Sequence, residues 1–159
     1  MEIQNKELHR VAVTAIIVKD GKYLITQRAL NKKAWPGLWT VPGGGMETDD
    51  YIKTPKTTSD CWYFAVTNTL KREVQEEVGL EISAIRYLLD LTFIKPDGVP
   101  TITLSFYCNW KSGAVKLNDE SMDYKWVSLE EAKNYELIPG IWGEIEMVDK
   151  ILKGENIET

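Results

Sequence analysis

The chain has 159 residues, of which 43% are hydrophobic and 27% are charged. This length predicts a single domain over residues 1–159, and the composition is that of a globular protein rather than a disordered or fibrous one. The net charge of −5 argues against a nucleic-acid partner. No run approaches the roughly 18 apolar residues of a membrane span, and no N-terminal signal segment is recognisable, so no membrane partner is expected.

Two predicted strands open the chain, separated by the hairpin dipeptide Asp20-Gly21. Val11–Val18 is β-branched and apolar, as in a strand buried on both faces, and Lys22–Arg28 alternates. A short apolar piece, residues 38–41, precedes Gly43–Gly45. Three consecutive glycines make regular helix or strand costly, so we expect a tight turn or a close approach to another group there.

The next predicted element is a long amphipathic helix over Cys61–Val78, with Gly79 suited to its C-terminal stop. A polar loop, residues 46–60, precedes it, and Ser59 or Asp60 is expected to cap it. The apolar stripe of this helix follows helical spacing over Tyr63, Val66, Leu70, Val74 and Val78.

The second half of the chain is rich in strands. Residues 81–94 contain one or two strands, residues 101–110 another and residues 124–127 a short one. Ser128 suits the cap of a short helix, and Ile141–Leu152 is a final amphipathic helix. The two cysteines are too few for a disulfide framework, and we expect both to be buried, reduced thiols in a cytoplasmic protein.

Three glutamates share one flank of the long helix. With Val74 facing the core, a turn of about 100° per residue places Glu77, Glu73 and Glu76 at about 60°, 100° and 160° on the same side. Carboxylates so close repel one another, and a hard divalent cation, Mg²⁺ or Mn²⁺, relieves that repulsion. Taken alone, the same pattern also fits an ordinary solvated helix face.

Together with the glycine run, these residues resemble the signature of the Nudix hydrolase family, G-x5-E-x7-R-E-U-x-E-E-x-G-U, where U is apolar. The second half of the signature matches without a gap from Arg72 to Leu80. With Gly44 as the opening glycine, Asp50 stands where the family has Glu. Between Asp50 and Arg72 lie 21 residues where the family has seven, so 14 are inserted, which we place at Tyr51–Ser59 plus an extra helical turn.

The resemblance covers about residues 11–152 and implies an α/β fold, an α/β/α sandwich with a mixed β-sheet. It implies hydrolysis of the pyrophosphate bond in a nucleoside diphosphate linked to another moiety, with Mg²⁺ or Mn²⁺ as cofactor. The sequence WPGLWTVPGGG slightly favours nucleoside triphosphates, including oxidised ones, as substrates. Nucleotide sugars and ADP-ribose are alternative substrates. A non-catalytic nucleotide-binding module on the same fold is an alternative, because the signature is split.

The resemblance also implies roles for individual residues. The implied metal ligands are Gly44, Glu73, Glu76 and Glu77. The implied catalytic residues are Arg72, Glu73, Glu76 and Glu120. Glu73 is a ligand or the general base, Glu120 an extra ligand or base, and Arg72 orients a carboxylate through a bidentate pair. Either Asp50 or Glu47 supplies that carboxylate.

Substrate contacts are expected around the glycine run. Arg28 is a candidate phosphate contact, and Trp35 is a candidate for stacking on a nucleobase. The glycines 43, 44 and 45 permit the close approach of a phosphate. The inserted segment, flanked by Trp62, has three interpretations: a substrate lid, a dimer contact or a mobile loop. A homodimer is therefore one of the possible assemblies.

Overall fold

The computed structural model describes residue 3 and residues 5–157. Its strands, in chain order, are β1 (Arg10–Lys19), β2 (Lys22–Arg28), β3 (Trp39–Thr40), β4 (Gly43–Gly45), β5 (Glu81–Ile94), β6 (Pro100–Ser112) and β7 (Ser121–Val127). The α-helices are α1 (Ala65–Val78), α2 (Leu129–Ala132) and α3 (Ile141–Leu152), and a 3₁₀ helix covers Thr48–Asp50.

The strands form one mixed sheet of seven strands. Its central order is β3-β2-β1-β6-β5, with β4 paired to β1 and β7 paired to β2. β1 and β6 are parallel, whereas the other strand pairs are antiparallel. β1 therefore lies inside the sheet, which explains why its sequence is a nearly unbroken apolar run.

Helices cover both faces of the sheet, as the predicted sandwich requires. Alternate β1 side chains point to opposite faces, so Val13 packs towards Leu70 and Val74 of α1. Ile16 points the other way and packs in a second cluster with Ile145 of α3. The expected α/β/α sandwich with a mixed sheet is confirmed.

Helix α1 begins later than predicted. Its first residue is Ala65 rather than Cys61, and its N-cap residue is Phe64, whose φ of 62° is left-handed. No side chain caps this helix, and the Ser59 hydroxyl instead donates to the neighbouring carboxylate of Asp60 at 2.8 Å. The expected caps at Ser59 and Asp60 are therefore wrong.

The glycine run makes the expected close approach to other groups, but it does so as a strand rather than as a tight turn. Gly44 pairs with Val13 of β1, and its two neighbours continue the antiparallel ladder. A Cβ on Gly43 would lie 2.2 Å from the Val13 carbonyl oxygen, and one on Gly44 would lie 2.3 Å from the Glu73 carboxyl group. The absence of side chains lets β4 approach both β1 and α1, and this compensates for the conformational cost of glycine in a strand.

The inserted segment contains no extra helical turn. Residues 51–64 lie between the 3₁₀ helix and α1 and consist of turns and irregular backbone. The indole N–H of Trp62 donates to the Thr54 carbonyl at 2.9 Å, and the Tyr51 ring lies 5.4 Å from the Trp62 ring. The segment therefore folds back on itself through its own contacts.

Three smaller outcomes concern single features. Cys108 is buried as expected, but Cys61 is exposed. Of the one or two strands predicted over residues 81–94, one forms, with an irregular register. β7 begins at Ser121 instead of residue 124. Among the described residues, no helix is both long and apolar enough to cross a membrane.

Candidate metal centre and active site

Three carboxylates converge beside β4. Glu73 and Glu77 project from successive turns of α1, and Glu120 lies directly before β7. Each offers an oxygen, and these oxygens all lie within 4.8 Å of one another. Glu73 is 8% exposed and Glu77 6% exposed, while Glu120 is half-buried. The fold therefore brings Glu120, a predicted extra ligand or base, close to two of the three helical glutamates.

Glu77 is the most buried member of this carboxylate cluster. The Gly43 backbone N–H donates to its Oε2 at 2.9 Å, and the Ser121 hydroxyl donates to its Oε1 at 3.3 Å. The pKa of Glu77 is raised to about 7, mainly by burial and also by the charges of Glu120 and Glu73, while the Gly43 and Ser121 hydrogen bonds oppose the rise. Because both of these donors are neutral, ionised Glu77 adds an uncompensated charge to the cluster.

Arg72 holds Asp50 in a bidentate pair. Its Nε donates to Asp50 Oδ1, and its Nη2 donates to Asp50 Oδ2 at 3.0 Å. The Thr69 hydroxyl donates to the same Oδ2 at 2.8 Å, and the Glu47 backbone N–H does so at 2.9 Å. These hydrogen bonds lower the pKa of Asp50 to about 2. Of the two carboxylates considered as the partner of Arg72, the structure therefore selects Asp50, to which Glu47 donates its backbone N–H.

The same guanidinium reaches three further groups. Arg72 Nη1 donates to Glu73 Oε1 at 2.7 Å and to Glu76 Oε2 at 3.1 Å, and Nη2 donates to the Gly45 carbonyl at 3.0 Å. The Glu76 side chain is 57% exposed and lies outside the group of three convergent carboxylates. Of the three predicted carboxylate ligands, Glu76 is therefore the one that the structure separates from the cluster.

β4 presents its backbone to this cluster. Hydrogen bonds on either side of Gly44 direct the backbone groups of Gly44 towards β1. The alternation of the ladder directs those of Gly43 away from β1, where its N–H meets Glu77. The backbone of Gly43, rather than that of Gly44, faces the carboxylates.

Of the predicted substrate contacts, Arg28 ends β2 and Trp35 lies in the loop that follows, whose backbone contacts Glu120. The backbone N–H of Ala29 donates to the Glu120 carbonyl at 3.0 Å. The Nε of Arg28 donates to the Ala34 carbonyl at 2.9 Å, and Trp35 is 47% exposed with a left-handed φ of 46°. In the part of the chain that the structure describes, no hydrogen bond or ion pair joins either side chain to the carboxylate cluster.

Sequence reasoning missed two residues that contact the site and one of its ion pairs. Thr69 and Ser121 donate to Asp50 and Glu77, and the Lys32 ammonium lies 2.9 Å from Glu120 Oε1. Thr69 precedes Arg72 by three residues, so helical spacing could have placed both on one face. The contact of Lys32 depends on the approach of two distant loops and carries no local signal.

Replacing Asp50 by Asn should destabilise the protein by about 1–3 kcal/mol, because Arg72 loses its bidentate charged partner in a nearly buried site. The Asp50 side chain is only 2% exposed. Glu47→Gln is the matched control, since Glu47 is exposed and contributes through its backbone. Urea unfolding of both variants tests this, and equal effects would contradict the assignment of Asp50.

Comparison with known proteins places this chain in a family. The NUDIX domain matches residues 8–149. The nucleoside triphosphatase NudI of Klebsiella pneumoniae is 31% identical over 138 residues, which cover 80% of this chain and 88% of that protein. NudI of Escherichia coli K12/DH10B matches with the same identity and coverage.

Solved structures share the fold. The MutT NUDIX hydrolase of Burkholderia pseudomallei superposes with a TM-score of 0.69 at 22% identity, covering 89% of this chain and 99% of that chain. The NUDIX domain of Shewanella oneidensis NrtR, complexed with ADP ribose, gives a TM-score of 0.69 at 19% identity, covering 92% and 90%. With the profile match over most of its length, the chain belongs to the Nudix hydrolase family.

Proposed function

We propose that this protein hydrolyses a pyrophosphate bond of nucleoside triphosphates with Mg²⁺ or Mn²⁺ bound at the carboxylate cluster. Hydrolysis of nucleotide pyrophosphate bonds is the activity of the family, and the relatives named nucleoside triphosphatase support this substrate class. The observation that carries the proposal is the convergence of Glu73, Glu77 and Glu120 within 4.8 Å.

The donor set fits a hard divalent cation. It consists of carboxylate oxygens, and the burial of Glu77 without a cationic hydrogen-bond donor leaves negative charge that such an ion neutralises. Glu73, Glu77 and Glu120 would hold the ion, and the Gly43 carbonyl is the better candidate for a backbone ligand than that of Gly44. When bound, the ion would stabilise charge on the phosphate oxygens and lower the pKa of water.

The protein's own residues position the reacting groups. Arg72 binds Glu73 through Oε1, which fixes the direction of the second carboxylate oxygen. In the reaction, the oxygen of water bonds to phosphorus, a carboxylate takes its proton, and the anhydride P–O bond breaks with its electrons on the leaving phosphate. Glu73 and Glu120 are the two candidates for the proton acceptor, and exposed Glu76 is an outer ligand.

Two alternatives differ from this proposal in substrate or in chemistry. ADP-ribose or a nucleotide sugar is one, since the Shewanella domain of the same fold is complexed with ADP ribose. A non-catalytic binding module is the other, but the paired Arg72–Asp50 contact and all three helical glutamates are present, and binding alone does not require them. Four further expectations stay predictions: a single domain, a cytoplasmic location, the lack of a nucleic-acid partner and a homodimer.

A substrate panel tests the proposal directly. Nucleoside triphosphates, ADP-ribose and a nucleotide sugar are incubated with Mg²⁺, and phosphate, pyrophosphate and nucleotide products are separated by chromatography. We expect the highest kcat/KM for a nucleoside triphosphate, complete loss of turnover after chelation, and ¹⁸O from labelled water in one phosphate product. Tight nucleotide binding without turnover of any substrate would favour the binding module instead.

Gly44→Ala should lower kcat by about 10- to 100-fold, because the added methyl group would displace the Glu73 carboxylate. The Cβ position lies 2.3 Å from that group, whereas a Cβ on Gly45 meets nothing within 4 Å. Gly45→Ala is therefore the matched comparison and should show a much smaller loss. Similar losses in the two variants would mean that strand flexibility, not the position of Glu73, matters.

The pH dependence of stability tests the electrostatic reasoning. Because burial raises the pKa of Glu77 from 4.5 to about 7, the folded state retains a proton that the unfolded chain releases in this range. Without divalent ions, the free energy of unfolding should therefore fall by a few kcal/mol as pH rises through this window, at about 1.4 kcal/mol per pKa unit. Mg²⁺ should restore it above pH 7.

Glu77→Gln should flatten this decline, because the substituted side chain cannot ionise. The burial of Glu73 also raises its pKa, so part of the slope remains. Glu76→Gln is the control on the exposed side of the helix. Chemical unfolding at several pH values in chelator measures the slope, and an unchanged slope in Glu77→Gln would refute the expected role of its buried charge.

A further inference from the structure

Lys32 forms an ion pair inside the carboxylate cluster that the hydrolytic reaction as described does not use. Its Nζ lies 2.9 Å from Glu120 Oε1, and its side chain is 29% exposed. The loop that carries it is joined to the same residue a second time, since the Ala29 N–H donates to the Glu120 carbonyl. The contact is thus supported by backbone and side chain together.

The cluster holds more carboxylates than cations. Two described cations contact it: Arg72, which is shared among Asp50, Glu73 and Glu76, and Lys32, which pairs with Glu120. Glu77 receives hydrogen bonds from the neutral groups Gly43 and Ser121. Lys32 therefore occupies the place of a cation beside an oxygen that the proposed divalent ion would also need.

The two cations differ in how firmly they are held. Arg72 donates hydrogen bonds from three nitrogens to three carboxylate side chains and to one backbone carbonyl. Lys32 makes one contact with the cluster, at the end of a flexible stem. An ammonium group can therefore leave Glu120 by rotation about single bonds, without disturbing the fold, while the guanidinium cannot.

We propose that Lys32 is a built-in counterion of the carboxylate cluster that gives up Glu120 when a divalent metal ion binds and then contacts the phosphates of the substrate. The metal ion replaces the ammonium as the partner of Glu120. The released ammonium stays within reach of the site, where the anionic phosphates of a bound nucleotide supply a new partner. The second half of this inference rests on the proposed function.

The inference predicts opposite effects of one substitution on two ligands. Lys32→Met should tighten Mg²⁺ or Mn²⁺ binding without nucleotide by about two- to fivefold, because the ion no longer competes with a partly exposed ion pair. The same variant should weaken binding of a non-hydrolysable nucleoside triphosphate analogue, measured in saturating Mg²⁺, by about tenfold. A residue that merely stabilised the loop would not strengthen metal binding.

Isothermal titration calorimetry measures both affinities at fixed ionic strength, and thermal unfolding verifies that the variants are folded. Lys33→Met is the matched control, because Lys33 is exposed on the same loop and its substitution removes the same charge. Lys32→Arg should keep the nucleotide affinity within a few-fold. The counterion role would be overturned if Lys32→Met bound the metal ion no more tightly than the wild-type protein does. It would also be overturned if Lys32→Met and Lys33→Met bound the metal ion equally well.

An unchanged affinity of Lys32→Met for the nucleotide analogue would overturn the phosphate contact. Neither titration requires turnover. Failure of the proposed function is therefore a separate result, in which the wild-type protein hydrolyses no member of the substrate panel. In that case the metal titration still decides whether Lys32 competes at Glu120.

Discussion

The guanidinium of Arg72 is the interaction on which the site depends. It joins the 3₁₀ helix through Asp50, β4 through the Gly45 carbonyl, and α1 through Glu73 and Glu76. Only β4 belongs to the sheet, and a planar group with fixed donor directions, carried by α1, sets the relative positions of the three elements. The carboxylates converge because one cation determines where the helix lies against the glycine strand.

The sequence was most informative where the geometry is local. The helical angle alone ordered three glutamates around Val74, and their exposure follows that order, since Glu77 and Glu73 are buried and Glu76 is exposed. Glu120 came only from the family resemblance, because nothing in its neighbourhood distinguishes it from other surface carboxylates. The fold class likewise followed from the resemblance and from the order of strands and helices.

Features that depend on distant pairing were not predictable. The glycine run becomes a strand because β1 and α1 lie close on either side of it, and a local propensity contains no information about either neighbour. The start of α1 was misplaced because its cap is Phe64, a residue that rarely adopts a left-handed conformation. The prediction that Cys61 is buried was wrong because this residue lies in the inserted loop.

The inserted loop has both ends anchored to the core. Asp50 at its start is held by Arg72, and α1 follows directly at its end, so residues 51–64 begin and finish on rigid elements. Chain length between two such fixed points is nearly free to vary, since lengthening a surface loop costs little closure entropy. Evolution can therefore remodel this stretch without retuning the catalytic geometry, and family searches based on fixed spacing will overlook such members.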